Sequence, residues 1–288
     1  MTMIPSSDAL AQAYAHCEAL TREHDRDRWL AGLFAPAAAR PHLYALTAFS
    51  YEVGRLREIV REPLAGEMRL AWWREALVEA TRPEVMANPV AAAVAETIKR
   101  YALPVQALDN LLSARMFDLY DDPMPTLNDF EGYCGETCSA LFRLAALILG
   151  DGRDLGGAEA EGHAGVAYAT VGLLRALPLT SARGQVYLPA DVLARHGVGR
   201  EDVAGRRDSP GLRAALAEMR DLARRHLAQA QAQLRESANA IAPALLPLAV
   251  LPLYLARMES ARYAPFATPI EAPQWRRQWA LWRAARAL

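Results

Sequence analysis

Apolar residues recur at three- and four-residue spacing along most of this chain of 288 residues. This spacing is typical of amphipathic α-helices. The pattern covers residues 9–24, 41–61, 66–81, 89–101, 104–120, 127–149, 158–176, 212–240 and 243–260. Proline lies near several of the starts, where helices tolerate it. Only residues 185–188 offer a weak strand candidate. The sequence therefore predicts an all-α protein.

The composition is that of a globular protein, with 52% hydrophobic and 23% charged residues. Helices of the same type flank the glycine- and charge-rich loops 150–157 and 195–210, so neither is typical of a domain linker. We expect one domain over residues 1–288, with an aromatic and basic tail at 263–288 packed on it. The formal net charge of −1 gives no electrostatic reason to expect a nucleic-acid partner.

The apolar stretch 241–258 reaches the length of a membrane span, but it contains three prolines and Arg257. A buried helix interrupted by prolines is the favoured interpretation. The first 20 residues lack the basic start and apolar run of a secretory signal. These features predict a cytoplasmic protein and leave open a peripheral contact with the inner membrane.

Residues 173–189 read L-L-R-A-L-P-L-T-S-A-R-G-Q-V-Y-L-P. This segment resembles the one in squalene and phytoene synthases that runs from N-I-L-R-D through a second acid to G-R-x-Y-L-P, with Arg175, Gly184 and Tyr187 in register. Further segments resemble family elements in the family's order: 43–49, 70–74 and 88–93. The resemblance implies the all-α isoprenoid-synthase bundle around a central cavity.

In that family, magnesium bridges the diphosphate of the substrate to carboxylates on two facing helices. The resemblance places the second acidic motif on Ala176 and Thr180, and the first on Gly54, Arg55 and Glu58. Only Glu58 is acidic, where four or five carboxylates are expected. A magnesium cluster cannot be assembled from one carboxylate. We therefore expect no cofactor, and Mg²⁺ only if the chain is a prenyltransferase.

Other polar and aromatic side chains near these positions define a candidate cavity or anion-binding set. Its members are Glu52, Arg55, Arg57, Glu58, Arg175, Tyr187 and Trp72. Arginine binds phosphate without a metal, so a metal-free pocket for a diphosphate or a phospholipid is one possibility. The other is that the arginines pair with Glu52 and Glu58, which could share one helix face. No metal ligand is assigned to any residue.

Trp72 and Trp73 are adjacent in sequence, so they point about 100° apart on a helix. One of them is expected in the core and the other at a cavity or an interface.

Residues 48–52 (A-F-S-Y-E) and 174–178 (L-R-A-L-P) resemble the A-F-N-x-E and L-R-A-x-P signatures of one branch of the family. That branch, the assembly factors for respiratory complex I and their bacterial relatives, lacks both acidic motifs. The resemblance implies a non-catalytic helper whose partner is a complex I subunit or assembly intermediate, with a lipid, isoprenoid or prenyl diphosphate as a further ligand.

Two alternatives stay open. One is a prenyltransferase that condenses two prenyl diphosphates head to head, with a displaced carboxylate such as Glu52 or Glu58 in a divergent metal site. The other is a bundle whose cavity has filled with side chains and that keeps only an interaction surface.

Overall fold

The structure, a computed structural model, describes residues 7–79, 81–236 and 241–287. Seventeen α-helices lie in these ranges, and none of the described residues forms a strand. The prediction of an all-α protein is confirmed, and residues 185–188 form an extended loop instead of a strand. The helices are α1 Ser7–His24, α2 Arg26–Gly32, α3 Arg40–Gly54, α4 Leu56–Ile59, α5 Pro63–Val78, α6 Pro83–Ala87, α7 Pro89–Tyr101, α8 Val105–Arg115, α9 Leu127–Cys134, α10 Ala140–Leu149, α11 Ala158–Ala182, α12 Ala190–Arg195, α13 Arg200–Ala204, α14 Pro210–Glu236, α15 Ala242–Leu245, α16 Leu251–Met258 and α17 Gln274–Ala285.

The described residues group into two compact units, each built from three separate stretches of the chain. The first unit lies within Met1–Tyr120, Ala140–Gly156 and Ala238–Leu246. The second unit lies within Asp121–Ser139, Gly157–Ser237 and Pro247–Leu288. The expectation of one domain over residues 1–288 stays a prediction.

Several predicted helices are interrupted. The prediction of one unbroken helix over 41–61 is wrong, because α3 ends at Gly54 and the short α4 begins at Leu56. The one expected over 104–120 changes into a 3-10 turn at Met116–Leu119. The one expected over 127–149 contains a π-helical turn at Gly135–Ser139. Residues 195–210 are not wholly loop either, because they contain α13.

Other helix ends agree with local sequence signals. Helix α7 has the predicted bounds, with Pro89 in its first turn and the Asn88 side chain accepting a hydrogen bond from the Ala91 amide at 3.0 Å. Thr126 and Asp129 form a reciprocal capping box at the start of α9. Helix α11 is longer than the predicted 158–176, since it continues through Pro178 to Ala182. The predicted residues 237–240 lie outside the described ranges.

The core of the first unit is formed where α1, α3 and α7 pack together. A polar network joins the three helices inside this apolar core. His42 Nδ1 lies 3.0 Å from the Tyr14 hydroxyl and 2.9 Å from Thr97 Oγ1, which donates to the Ala93 carbonyl at 2.7 Å. Burial lowers the pKa of His42 to about 4, with a smaller effect of Arg100. The network therefore holds a neutral imidazole.

This buried imidazole predicts a pH dependence of stability. An unfolded histidine has a pKa of about 6.5, so between pH 6.5 and 4 the unfolded chain binds a proton that the folded chain does not. Protonation linked to His42 should therefore lower the free energy of unfolding by about 3 kcal/mol as the pH falls from 6.5 to 4. Above pH 6.5, His42 should make no pH-dependent contribution to stability. Urea denaturation of wild type and His42→Gln across this range measures the effect, which the variant should lack. His16→Gln, at an exposed position, should keep the wild-type dependence. Equal dependence in wild type and His42→Gln would contradict the assignment.

The second unit is organised around the two long helices α11 and α14, which pack side by side. The π-helical turn at Gly135–Ser139 packs against α11. There the Ser139 hydroxyl donates to the Gly162 carbonyl at 2.7 Å. A Cβ on the buried Gly165 would come well within 3.0 Å of the backbone nitrogen and Cα of Ser139. The close approach of this turn to α11 therefore requires glycine at position 165.

Gly165→Ala should lower the free energy of unfolding by about 2 kcal/mol, because backbone atoms must move apart to admit the methyl group. Gly172→Ala on the same helix is the matched control, since a Cβ there meets no atom within 4 Å. The control should raise the free energy of unfolding by about 0.5–1 kcal/mol through helix propensity. Urea denaturation curves compare the two. A Gly165→Ala protein as stable as wild type would refute the close-approach argument.

The apolar stretch 241–258 does not form one long helix. It consists of α15, a 3-10 turn at Leu246–Val250, and α16, with prolines in each piece. Most of its side chains are buried, so the prediction of a buried helix interrupted by prolines is confirmed. None of the helices in the described residues is long and apolar enough to cross a bilayer.

Candidate functional site

The first-motif positions lie at the end of α3, in the first unit. Gly54 is the last residue of α3, and a Cβ there would lie 3.6 Å from the guanidinium of Arg115. Arg115 pairs at 2.9 Å with the buried Asp118. The space beside Gly54 is thus occupied by a protein cation, not by an acidic side chain.

Arg55 lies between α3 and α4, and its side chain turns back along α3. Its Nη1 lies 3.6 Å from Glu52 Oε1 and donates to the Tyr51 hydroxyl at 3.2 Å. The guanidinium also lies 5.2 Å from the centre of the Tyr51 ring. Arg55 thus lies beside Glu52, which is one of the two arrangements that the sequence left open. Both side chains are about one-third exposed, so this pair contributes little to stability.

Glu58 and Arg57 lie on α4, after the break at Arg55. Glu58 is exposed and Arg57 is half-buried. The expectation that Glu52 and Glu58 share one helix face is wrong, because the two residues belong to different helices. The structure therefore brings Glu52 and Arg55 together but does not extend α3 to Glu58.

Trp72 and Trp73 differ in burial. The prediction that one of them lies in the core is confirmed, and a cavity or an interface at the other stays a prediction. Trp73 is buried and its ring meets that of Phe49 edge to face, with centroids 5.1 Å apart. Trp72 is half-buried, and its ring lies 5.0 Å from the ring of Trp73. Trp73 thus belongs to the core, and Trp72 borders it.

The second-motif positions, Ala176 and Thr180, lie on the last turns of α11, in the second unit. Both are half-buried. The hydroxyl of Thr180 donates to the Leu177 carbonyl of its own helix at 3.4 Å. An alanine methyl and a hydroxyl turned to its own backbone cannot hold a divalent cation.

Thr180 and Tyr187 border a small apolar pocket of the second unit. The space that is open to the centre of a water molecule measures about 10 Å³, so the pocket has room for about one water. A prenyl chain would fit this pocket only if side chains moved. The other lining residues are Phe130, Thr170, Leu173, Leu174, Leu177, Leu188 and Met219. The Tyr187 ring lies 5.8 Å from that of Tyr133.

Arg175, on α11, is held by two groups of the second unit. Its guanidinium carbon lies 3.9 Å from the centre of the ring of the buried Tyr254, and its Nε donates to the Ile270 carbonyl at 3.1 Å. The first contact is a cation–π interaction in a half-buried setting. The sequence left open whether Arg175 binds an anion or pairs with Glu52 or Glu58. The structure shows its contacts with Tyr254 and Ile270, and binding of an anion stays a hypothesis.

No group of three or more His, Cys, Asp or Glu side chains in the described part of the chain could hold a metal ion. Cys134 and Cys138, one helical turn apart in sequence, are both buried, and neither forms a disulfide.

Sequence reasoning missed a cluster of titratable groups in the second unit. His163 on α11 and His226 on α14 approach with their Nδ1 atoms 2.9 Å apart, and His226 Nε2 lies 3.6 Å from Glu131. Burial lowers the pKa of His226, and Glu131 partly opposes this effect. The spacing of residues along the sequence does not predict this cluster, because its members come from three different helices.

Comparison with known proteins places this fold and these motifs in one family. The model of the squalene/phytoene synthase family matches residues 21–283, so the chain belongs to the squalene/phytoene synthase family. A crystal structure of a dehydrosqualene synthase in complex with ligand superposes with a TM-score of 0.82 at 17% identity, covering 96% of this chain and 97% of that one. The predicted isoprenoid-synthase-type fold is confirmed.

Two curated relatives have different functions. One is NADH dehydrogenase (ubiquinone) complex I, assembly factor 6 of Rattus norvegicus, 30% identical over 262 residues, which are 91% of this chain and 78% of the relative. The other is the phytoene synthase of Thermus thermophilus, 30% identical over 208 residues, with 70% of this chain and 68% of the relative covered. The predicted resemblance to both the family and the assembly factors is confirmed.

The contacts of Arg175 predict its contribution to stability. Arg175→Lys should lower the free energy of unfolding by about 1–2 kcal/mol, because an ammonium cannot both lie over the Tyr254 ring and reach the Ile270 carbonyl. Arg257→Lys, at an exposed position on α16 of the same unit, should change it by less than about 0.5 kcal/mol. Thermal and urea unfolding measure both. Unchanged stability in Arg175→Lys would mean that these contacts contribute nothing and that the guanidinium is available to another ligand.

Proposed function

We propose that this protein is a non-catalytic helper in the assembly of respiratory complex I. It acts by binding a subunit or an assembly intermediate, in peripheral contact with the inner membrane. The observation that carries the proposal is the similarity to assembly factor 6, which extends over 91% of this chain. The residues at the family's motif positions give this proposal further support.

The chemistry at the motif positions supports a role without catalysis. Ionisation of an allylic diphosphate requires several charges that neutralise the leaving group. Here Ala176 and Thr180 offer no carboxylate, and Glu52 is paired with Arg55. Arg175, the cation nearest in sequence to the second motif, already binds Tyr254 and Ile270. In this proposal, these positions do not supply the ligands for magnesium that the family's reaction needs.

Removal of the protein from its own cells tests the proposed function. We expect NADH:quinone oxidoreductase activity in membranes to fall and partly assembled complex I to accumulate on native gels. Succinate dehydrogenase activity in the same membranes is the internal control and should not change. Normal complex I activity in cells without the protein would overturn the proposal.

The similarity to phytoene synthase supports a second candidate, a prenyltransferase with a displaced carboxylate. The double variant Glu52→Gln, Glu58→Gln separates the two candidates. As a helper the variant should restore complex I as fully as wild type, because no carboxylate takes part in chemistry. If the protein is a prenyltransferase, the purified wild type should convert farnesyl diphosphate to a condensed product only with Mg²⁺, and the double variant should not form that product.

Calorimetry with a non-hydrolysable farnesyl diphosphate analogue gives an independent measurement. For the helper we expect either no binding or weak binding that is the same with and without Mg²⁺. Binding that becomes at least tenfold tighter with Mg²⁺ would favour the prenyltransferase. A lipid or isoprenoid ligand stays a prediction, and weak metal-independent binding is the result that would support it.

A further inference from the structure

Helix α17 presents an aromatic face to solvent. Trp275, Trp279 and Trp282 are 64%, 56% and 41% exposed, although tryptophan is mostly buried in folded proteins. Their spacing of four and three residues places them on one side of the helix. The rings of Trp279 and Trp282 stack with centroids 5.0 Å apart. Two of the three rings are therefore in contact, and Trp275 lies one helical turn before Trp279 on the same side.

Away from the tryptophans, helix α17 is less exposed. Leu281 is fully buried, and at 100° per residue it points about 160° away from Trp279. Pro273 precedes the first turn and fixes the direction of entry. Helix α17 is therefore held by one face while the tryptophan face points outward.

The tryptophan face is also positively charged. Arg276, Arg283 and Arg286 are exposed on or beside it. The guanidinium of Arg286 lies 4.9 Å from the Trp282 ring, and that of Arg276 lies 5.2 Å from the Trp275 ring. Residues 274–288 contain no acidic side chain. In a chain with a net charge of −1, this segment is a local concentration of positive charge.

We propose that this face, comprising Trp275, Trp279, Trp282 and the exposed Arg276, Arg283 and Arg286, is a docking surface for a membrane of anionic lipids. Indole rings favour the boundary between headgroups and acyl chains, where the apolar body is covered and the N–H group stays in contact with polar groups. Guanidinium groups at the same depth meet lipid phosphates, which they bind bidentately. A helix that lies in the plane of the interface needs no membrane span.

A lipid surface fits this face better than a protein groove. A groove would have to bury the aromatic rings and also supply carboxylates for each arginine. A membrane with anionic headgroups offers an apolar layer and negative charge side by side along the whole 12-residue helix. The proposal extends the membrane contact of the proposed function. It does not depend on the complex I partner, because the test uses purified protein.

Sedimentation of the purified full chain with vesicles tests the proposal. We expect binding to phosphatidylcholine vesicles that contain phosphatidylglycerol, and at least tenfold weaker binding to phosphatidylcholine alone. Tryptophan fluorescence should shift to the blue on binding, and brominated lipid should quench it. Equal binding to both kinds of vesicle, or binding to neither, would overturn the proposal.

Two variants on α17 separate the contributions of the rings and the charges. Trp275→Ser, Trp279→Ser, Trp282→Ser should weaken binding to anionic vesicles at least tenfold. Arg276→Gln, Arg283→Gln, Arg286→Gln should weaken it about 100-fold at low salt, because each basic side chain near an anionic surface contributes to the attraction. Thermal unfolding should be unchanged in both, since the substituted side chains are exposed.

A matched control removes exposed apolar side chains elsewhere. Leu64→Ser, Met68→Ser on α5 replaces two residues that are 66% and 67% exposed but lie in the first unit. This variant should bind anionic vesicles like wild type. A loss equal to that of the tryptophan variant would overturn the assignment to α17. So would a dimer that the tryptophan variant cannot form, or RNA binding in place of vesicle binding.

Discussion

Three arginines at or beside the family's motif positions contact protein groups of their own compact unit. Arg115 pairs with Asp118 beside Gly54, and Arg55 pairs with Glu52. Arg175 is held by an aromatic ring and a carbonyl. The Arg115 guanidinium has a buried carboxylate as its partner, so an external anion would compete with Asp118 for it.

The sequence was a good guide to which segments are helical and a poor guide to where helices break. Helix α7 could be predicted with its bounds because Asn88 and Pro89 are local start signals. The break at Arg55 comes directly after Gly54, but a glycine inside a helical pattern lowers helix stability without by itself ending the helix. The π-helical turn at Gly135–Ser139 accompanies the packing of Ser139 against Gly165. A helix–helix contact of this kind is a property of the folded chain and cannot be derived from periodicity.

At the candidate functional site too, some features can be predicted from the sequence and others are visible only in the folded chain. The lost carboxylates at Ala176 and Thr180 can be recognised in the sequence, because a residue type is missing from a known spacing. The partners of Arg175 cannot be recognised, because Tyr254 and Ile270 are distant in sequence and a backbone carbonyl has no residue type. The pair of His163 and His226 was missed for the same reason, since its members lie on two long helices that meet only after folding. Sequence reasoning could thus identify what the site lacks but not what replaces it.

Two energetic costs favour binding at the surface of the second unit over binding in its small pocket. Exposed tryptophan rings leave apolar area in water, and the pocket must open before it can admit a ligand. The pocket beside Thr180 and Tyr187 has room for about one water, so a ligand there would first have to displace well-packed apolar side chains. The tryptophan face of α17 is already exposed, and covering it would recover apolar surface from water with no rearrangement of the unit that carries it. Binding energy is therefore more easily obtained at the surface than in this pocket. The exposed apolar and cationic face of α17 therefore offers a ligand more accessible binding surface than the small pocket beside Thr180 and Tyr187.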